Sequence, residues 1–168
     1  MKFKSIVGLE KDHDRSSFSC GVQSLDNFLL HNALRQNKSG HTRTFVAIAD
    51  DNKTVLGYYC LAAGAVESAL FPKPMDHPYN EVPIVLVGRL AIRKDFQHQG
   101  LGTTLLIDAL LRALNVADSD IGCHAVEVDA LDPTVVDWYK RFGFESLEDG
   151  ERHLYLPIAQ IRKLSEKW

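Results

Sequence analysis

The order of apolar and polar positions along the chain predicts a mixture of strands and helices. Apolar or alternating runs favour strands at residues 4–10, 44–49, 55–62, 84–92, 125–130 and 153–156, and residues 142–144 enter one more. Apolar residues at helical spacing predict helices that start behind an N-cap at Ser24 and end before Gly40, and at residues 103–114 and 133–140. Residues 50–53 form a hairpin turn, and the proline-bearing stretch 71–83 is predicted as a loop. With no repeat or linker, the chain is predicted to be a single α/β domain over residues 1–168.

Residues 97–102, Gln-His-Gln-Gly-Leu-Gly, form the most informative stretch. They lie between the predicted buried strand 84–92 and the predicted helix 103–114. Glycines let the backbone come close to a ligand, and the first turn of a helix has N–H groups without partners. A strand, a glycine turn and a helix N-terminus therefore predict a site for a phosphate or pyrophosphate.

Other glycine-rich motifs fit this stretch less well. The dinucleotide fingerprint needs Gly-x-Gly-x-x-Gly near the first strand, whereas this Gly-Leu-Gly lies past the middle of the chain. The Walker loop needs Gly-Lys followed by Ser or Thr, which does not occur in the sequence. A plain strand–helix turn without a ligand remains the alternative.

Two motifs resemble the GNAT acetyltransferases. Gln97, Gly100 and Gly102 fill the fixed positions of the family's pyrophosphate loop, Gln/Arg-x-x-Gly-x-Gly/Ala. Residues 135–144 contain Tyr-x-x-Phe-Gly-Phe, which is similar to the family's late-helix signature, and the predicted elements follow the GNAT order over almost the whole chain. The resemblance implies an α/β (α+β) GNAT fold: a central mixed, mostly antiparallel sheet flanked by helices, with acyl-CoA in the cleft after the central strand.

A narrower resemblance lies in the N-terminal third. Residues 13–21, 24–29 and 42–46 are similar to the GNAT toxins of bacterial toxin–antitoxin modules. That subfamily implies acetylation of the α-amino group of aminoacyl-tRNA, which blocks translation. It also implies a ribbon–helix–helix antitoxin as partner, operator DNA bound only through that antitoxin, and a homodimer.

The GNAT resemblance assigns roles to particular residues, with acetyl-CoA as cosubstrate and no metal. Tyr139 is the expected general acid, because a phenol with a pKa near ~10 stays protonated at neutral pH. The other reading of Tyr139 is a core residue, and Trp138 beside it is expected to pack. The cofactor is expected to contact the backbone of the central strand and the loop, at Leu90, Ala91, Ile92, Gln97, His98, Gln99, Gly100, Leu101, Gly102 and Thr103.

The formal net charge of −3 hides an uneven distribution of charge. Residues 115–137 hold six acids and no lysine or arginine, whereas basic side chains gather elsewhere. A basic face that meets a polyanion is one interpretation, and ordinary solvated faces are the other. Under the first, the candidate tRNA contacts are Arg15, Arg35, Lys38, Arg43, Arg89 and Arg93.

Several other titratable residues have open roles. Asp129 and Asp132 are interpreted either as ordering water or cofactor, or as solvated or capping acids. Glu81 and Glu127 are candidate bases if the acceptor is a lysine, whose amine has a pKa near ~10.4. The histidines, His77 among them, are scattered without metal-ligand spacing and are expected to be surface or packing residues.

The three cysteines contain no Cys-x-x-Cys pair, and the longest apolar run, residues 55–66, is too short to span a bilayer. With no apolar signal region behind Met1, these features predict a reduced cytoplasmic protein without a membrane segment. Three functions stay open: a toxin that acetylates aminoacyl-tRNA; a GNAT enzyme acting on a protein N-terminus, a lysine or a small amine; and a non-catalytic acyl-CoA-binding module.

Overall fold

A computed structural model of the chain describes residues 1–73 and 78–168. Its seven strands lie in the sheet order β1-β2-β3-β4-β5-β7-β6. β4 and β5 pair in parallel, whereas β1–β2, β2–β3, β5–β7 and β6–β7 are antiparallel. The sheet is therefore mixed and mostly antiparallel, as predicted. Its strands are β1 (Phe3–Gly8), β2 (Arg43–Ala49), β3 (Val55–Glu67), β4 (Glu81–Ile92), β5 (Ala125–Asp129), β6 (Glu145–Ser146) and β7 (His153–Pro157).

The N-terminal helical segment has three parts: α1 (Gln23–Asn27), a π-helical turn (Phe28–Asn32) and α2 (Ala33–Ser39). The prediction of Ser24 as N-cap is wrong. The N–H groups of Leu25 and Asp26 both bond to the Val22 carbonyl at 3.1 Å, so the N-cap is Val22, two residues earlier. The predicted end is confirmed, because Gly40 has a left-handed φ of 79° directly after Ser39.

Three further helices follow: α3 (Leu101–Ala117), α4 (Pro133–Lys140) and α5 (Ile158–Ser165). α3 is longer at both ends than the predicted 103–114, and α5 was not predicted. α4 has the predicted bounds, and the Asp132 carboxylate accepts a hydrogen bond from the Val135 N–H at 3.1 Å, which confirms the capping interpretation of Asp132. No helix of the described residues is long and apolar enough to cross a membrane.

Two strands are longer than predicted by three residues or more. β3 continues to Glu67, and β4 begins at Glu81, so the predicted loop 71–83 is wrong at its last three residues. Pro83 lies inside β4 and cannot donate to a ladder, but its carbonyl accepts a hydrogen bond from the His124 N–H at 2.8 Å. Residues 74–77 of that loop, including His77, lie outside the described residues.

The chain divides into two compact units, each with its own apolar core. The first unit comprises residues 1–62 and 88–109, and its core gathers Phe28, Leu29, Val46 and Tyr58. The second comprises residues 63–87 and 110–168, with a core around Phe71, Ile84 and Tyr155. The boundaries fall within β3, β4 and α3. One domain over the whole chain stays a prediction.

Candidate functional site

The loop 97–103 has the backbone of an anion site. A 3₁₀ turn (Lys94–Phe96) leads from β4 into it, and His98 and Gly100 both take left-handed conformations, with φ of 59° and 88°. The first bond of α3 runs from the Thr104 N–H to the Gly100 carbonyl at 3.1 Å. The N–H groups of Leu101, Gly102 and Thr103 precede that bond, so within the described residues the hydrogen bonds of the helix itself leave them available. The loop therefore offers backbone donors and the positive end of the α3 dipole to an anion.

The Gln97 side chain makes hydrogen bonds to the protein's own backbone. Its Nε2 donates to the carbonyls of Cys20 and Ile92 at 2.8 and 2.9 Å. The Gln99 Nε2 likewise donates to the Asp95 carbonyl at 2.9 Å. These two side chains brace the loop, which leaves the backbone N–H groups as the contacts for a phosphate.

The end of β4 has free strand edge where the sequence predicts cofactor contacts. The parallel pairing of β4 with β5 runs from Ile84–Ala125 to Val87–Val128. β4 continues to Ile92. In the part of the chain that the structure describes, Leu90, Ala91 and Ile92 thus have no β5 residue paired to them, and this edge can accept an extended ligand as an added strand.

Tyr139 lies in the second unit, on the buried side of α4. Its ring makes edge contacts with Trp138 and Phe144, with centroids 5.0 and 5.3 Å apart, and it is only 5% exposed. Burial raises the pKa of the hydroxyl, so it stays protonated at neutral pH. Within the described residues no hydrogen bond engages that hydroxyl. The side chain is therefore a packed core residue whose hydroxyl makes no hydrogen bond within the described residues.

The sequence did not reveal a network around His153. Asp129 pairs with His153 across β5 and β7, which places Glu127 on the same face two residues away. The His153 ring bonds to the Glu127 carboxylate through Nε2 and to the Asp149 Oδ2 through Nδ1, the latter at 2.8 Å. Donor atoms of Glu127, Asp129 and His153 lie within 4.8 Å of one another, which is close enough to hold a cation. The imidazole already bridges two carboxylates, so the network is accounted for without an ion.

This network should make stability depend on pH. Burial lowers the pKa of His153, but hydrogen bonds to Asp149 and Glu127 raise it more, and the net direction is upward from 6.5. The folded protein therefore binds the proton more tightly, and the stabilisation is complete below pH 6.5 and is lost as the pH rises through the raised value. We expect the free energy of unfolding in urea to fall as the pH rises above about 6.5, and His153→Gln to flatten that slope. An unchanged slope in the variant would contradict this assignment.

Three predicted tRNA contacts are half-buried and already engaged. The Arg89 guanidinium lies 3.9 Å from the centre of the Phe28 ring. Arg93 makes two hydrogen bonds of 2.8 Å to the Asp95 carboxylate. Arg15 donates to the Leu29 carbonyl at 3.2 Å, within the π-helical turn. The packing of Arg89 and the ion pair of Arg93 should reduce the affinity of these two guanidinium groups for a phosphate.

The other three predicted contacts are exposed. Arg35 bonds only to the neutral Asn32 side chain, at 2.7 Å, and Lys38 and Arg43 form no ion pair within the described residues. All six basic candidates lie in the first unit, whereas the acidic stretch 115–137 belongs to the second. The exposed three are the strongest candidates for binding a polyanion.

A cavity of about 800 Å³ lies at the junction of β3 and β4. The described residues that line it include Glu67, Tyr79 and Glu81, and none of the predicted cofactor contacts. An acidic, open cavity does not suit a pyrophosphate. The loop 97–103 therefore stays the candidate cofactor site, and this cavity does not replace it.

Comparison with known proteins identifies relatives over nearly the whole chain. A family model described as an acetyltransferase (GNAT) domain matches residues 40–146. A tRNA-acetylating toxin of Mycobacterium tuberculosis is 39% identical over 155 residues, which cover 90% of each chain. The probable toxin TacT of Sinorhizobium fredii is 30% identical over 162 residues, which cover 90% of this chain and 89% of that protein.

Solved structures give the same relationship. AtaT complexed with acetyl-methionyl-tRNAfMet is similar with a TM-score of 0.90 and 31% identity, over 96% of this chain and 98% of that one. A tyrosine-to-phenylalanine variant of KacT has a TM-score of 0.91 and 27% identity, over 98% and 99%. A tyrosine-to-phenylalanine variant of AtaT, bound to the C-terminus of the antitoxin AtaR and acetyl-CoA, has a TM-score of 0.80 and 29% identity, over 95% and 96%. By its sequence, its sheet and its glycine loop, the chain belongs to the GNAT acetyltransferase family.

Proposed function

We propose that this chain is an acetyl-CoA-dependent N-acetyltransferase toxin that acetylates the α-amino group of aminoacyl-tRNA and so blocks translation. One observation supports the assignment of the substrate: a tRNA-acetylating toxin is 39% identical over 90% of both chains. The loop 97–103 supports acetyl-CoA as the cosubstrate, because the N–H groups at the start of α3 suit a pyrophosphate. AtaT structures that hold acetyl-methionyl-tRNAfMet, or acetyl-CoA, support both parts.

In the proposed reaction, the loop 97–103 binds the pyrophosphate, and the free edge at Leu90, Ala91 and Ile92 holds the acyl arm. A backbone N–H of this edge polarises the thioester carbonyl, and loss of such a donor typically costs about 10²–10³ in rate. The amine nitrogen attacks the carbonyl carbon and loses a proton to water. The carbon–sulfur bond then breaks, and the departing thiolate takes the proton of the Tyr139 hydroxyl.

Tyr139 is well suited to this step. Its buried hydroxyl stays protonated and is not committed to a protein acceptor. Two of the similar structures are tyrosine-to-phenylalanine variants, which agrees with a tyrosine hydroxyl as a functional group in these relatives.

The proposed acceptor needs no strong base. The α-amine of an aminoacyl ester is less basic than a lysine amine, whose pKa is near ~10.4, so much of it is neutral near pH 7. A lysine acceptor would require a base, for which Glu127 was a candidate. The structure engages the Glu127 carboxylate with His153, which argues against Glu127 as a free base.

Binding of the tRNA is proposed to be electrostatic. Neutralised phosphates release counterions, so affinity should fall with salt with a slope of roughly −0.7 per contact on a single-stranded end. Lys38→Glu and Arg43→Glu should each weaken tRNA binding, lower the salt slope, and leave acetyl-CoA binding unchanged. Filter binding over a salt series measures this effect. Lys163→Glu on α5 is the matched control, because Lys163 is an exposed cation that forms no ion pair within the described residues. Equal losses in all three variants would indicate only a general charge effect.

The partners follow from the same proposal. We infer an antitoxin that binds this toxin, as the C-terminus of AtaR binds AtaT. We propose that this antitoxin is a ribbon–helix–helix protein and that the complex binds operator DNA only through it. Its flexible tail orders on binding and covers the basic face and the cofactor site. A homodimer and a cytoplasmic location complete the proposal.

The test of the proposed function is translation in vitro. Purified protein with acetyl-CoA should stop synthesis, and mass analysis of the tRNA-borne amino acids should find N-acetyl groups. Arrest without acetylated aminoacyl-tRNA would overturn the proposal.

A further inference from the structure

A short N-terminal segment, residues 19–21, contacts Lys94 and Gln97, at and just before the start of the loop 97–103. The Lys94 N–H donates to the Ser19 carbonyl at 2.9 Å, and the Gln97 Nε2 donates to the Cys20 carbonyl at 2.8 Å. The Lys94 Cε lies 3.1 Å from the position that a Cβ at Gly21 would occupy, and Gly21 has a φ of 94°. The left-handed turn at Gly21 brings the segment this close, and a larger residue there would be strained.

The backbone of Cys20 is held at both of its polar groups. Its N–H donates to the Asp26 Oδ1 at 2.8 Å, and its carbonyl accepts the Gln97 carboxamide. Asp26 lies on α1, and the second Gln97 bond runs to the Ile92 carbonyl at the end of β4. Cys20 is buried, and Asp26 and Gln97 are half-buried, so water competes weakly for these bonds. A continuous path of hydrogen bonds therefore joins α1, the segment 19–21, the end of β4 and the loop.

The position of Gln97 gives this path a consequence for ligand binding. The next residue, His98, is a non-glycine residue with a left-handed φ of 59°. Such a conformation costs energy and persists only where the surroundings hold it in place. The bonds of Gln97 fix the backbone at the point where the strained part begins. Donors that are already arranged for a ligand bind it more tightly than donors that must first be ordered.

We propose that Asp26 and Gln97 are positioning residues of the acyl-CoA site, which act through the backbone of Cys20 to hold the loop 97–103 in its anion-binding conformation. Gln97 does so by its carboxamide and not by contact with the phosphates, and Asp26 does so by its bond to the Cys20 N–H. The inference rests on the proposed function for the identity of the ligand. It adds a residue from the N-terminal third of the chain to the cofactor site.

The test is acetyl-CoA binding by calorimetry with the full-length protein. Asp26→Ala should raise the dissociation constant about tenfold, the effect of losing one well-formed hydrogen bond, and Gln97→Leu, which loses two, should raise it at least as much. Asp26→Asn keeps an oxygen acceptor for the Cys20 N–H and should bind nearly as wild type. Asp14→Ala is the control, because Asp14 also bonds to the N-terminal backbone, at Ser16, but outside the path. Thermal unfolding of every variant checks that the fold is intact.

The double variant Asp26→Ala, Gln97→Leu separates a shared path from two independent effects. Because both side chains act on the backbone of one residue, Cys20, the combined loss should stay well below the product of the single losses. In steady-state kinetics the KM for acetyl-CoA should rise while kcat changes little. Independent, multiplicative losses, or wild-type affinity in a folded Asp26→Ala variant, would overturn the inference. If the wild-type protein failed to bind acetyl-CoA, the proposed function itself would fail.

Discussion

Tyr139→Phe should abolish acetyl transfer and leave acetyl-CoA binding intact. Removal of a general acid typically lowers the rate on the order of 10²-fold or more. The hydroxyl makes no hydrogen bond within the described residues, and the ring keeps its contacts with Trp138 and Phe144, so stability should barely change. Turnover by rapid quench and affinity by calorimetry measure the two effects separately.

The same substitution should act in cells. Expression of the wild-type chain alone should arrest bacterial growth, and Tyr139→Phe should relieve the arrest. Trp138→Phe is the control, since Trp138 is the neighbouring aromatic residue and has no proposed proton to give. Near wild-type turnover by Tyr139→Phe would mean that water or another group protonates the thiolate.

Gly102→Glu should abolish acetyl-CoA binding while the folded protein keeps its stability. Gly102 lies in the first turn of α3, where a carboxylate interacts favourably with the helix dipole, typically by about 0.3–1 kcal/mol. The same carboxylate would occupy and repel the site of the pyrophosphate. Loss of binding together with an unchanged or higher Tm is a combination that general misfolding cannot produce.

The control for that result is Gly122→Glu, which adds the same charge at a position with open space around the new Cβ. Gly100 is a poorer choice, since its φ of 88° strains any other residue. Wild-type acetyl-CoA affinity in folded Gly102→Glu would remove the loop from the cofactor site.

The local signals in the sequence predicted much of this fold. The glycine turn between a buried strand and an amphipathic helix is specified by consecutive residues. The same holds for α4, which has Asp132 directly before Pro133. In each case the information lies within one or two helical turns. Predictions from such local signals agree with the folded structure because the conformation does not depend on a residue distant in sequence.

The features that sequence reasoning missed depend on distant partners. The Glu127–His153 contact arises from the register of β5 against β7, and neither position carries a metal or triad spacing. The bond from Gln97 to Cys20 joins residues that are 77 positions apart. Arg89 reads as a free cation in the sequence, yet it packs on Phe28. These contacts are set by tertiary packing, which a single sequence does not encode locally.

The central claim is the identity of the acceptor, and a competition assay tests it most directly. Charged tRNA, a lysine peptide and free amino acids are mixed with the enzyme and limiting acetyl-CoA, and the acetylated products are identified by mass. The account predicts N-acetyl-aminoacyl-tRNA as the dominant product, with turnover that falls as salt rises. Efficient acetylation of the peptide, with charged tRNA left unmodified, would contradict it.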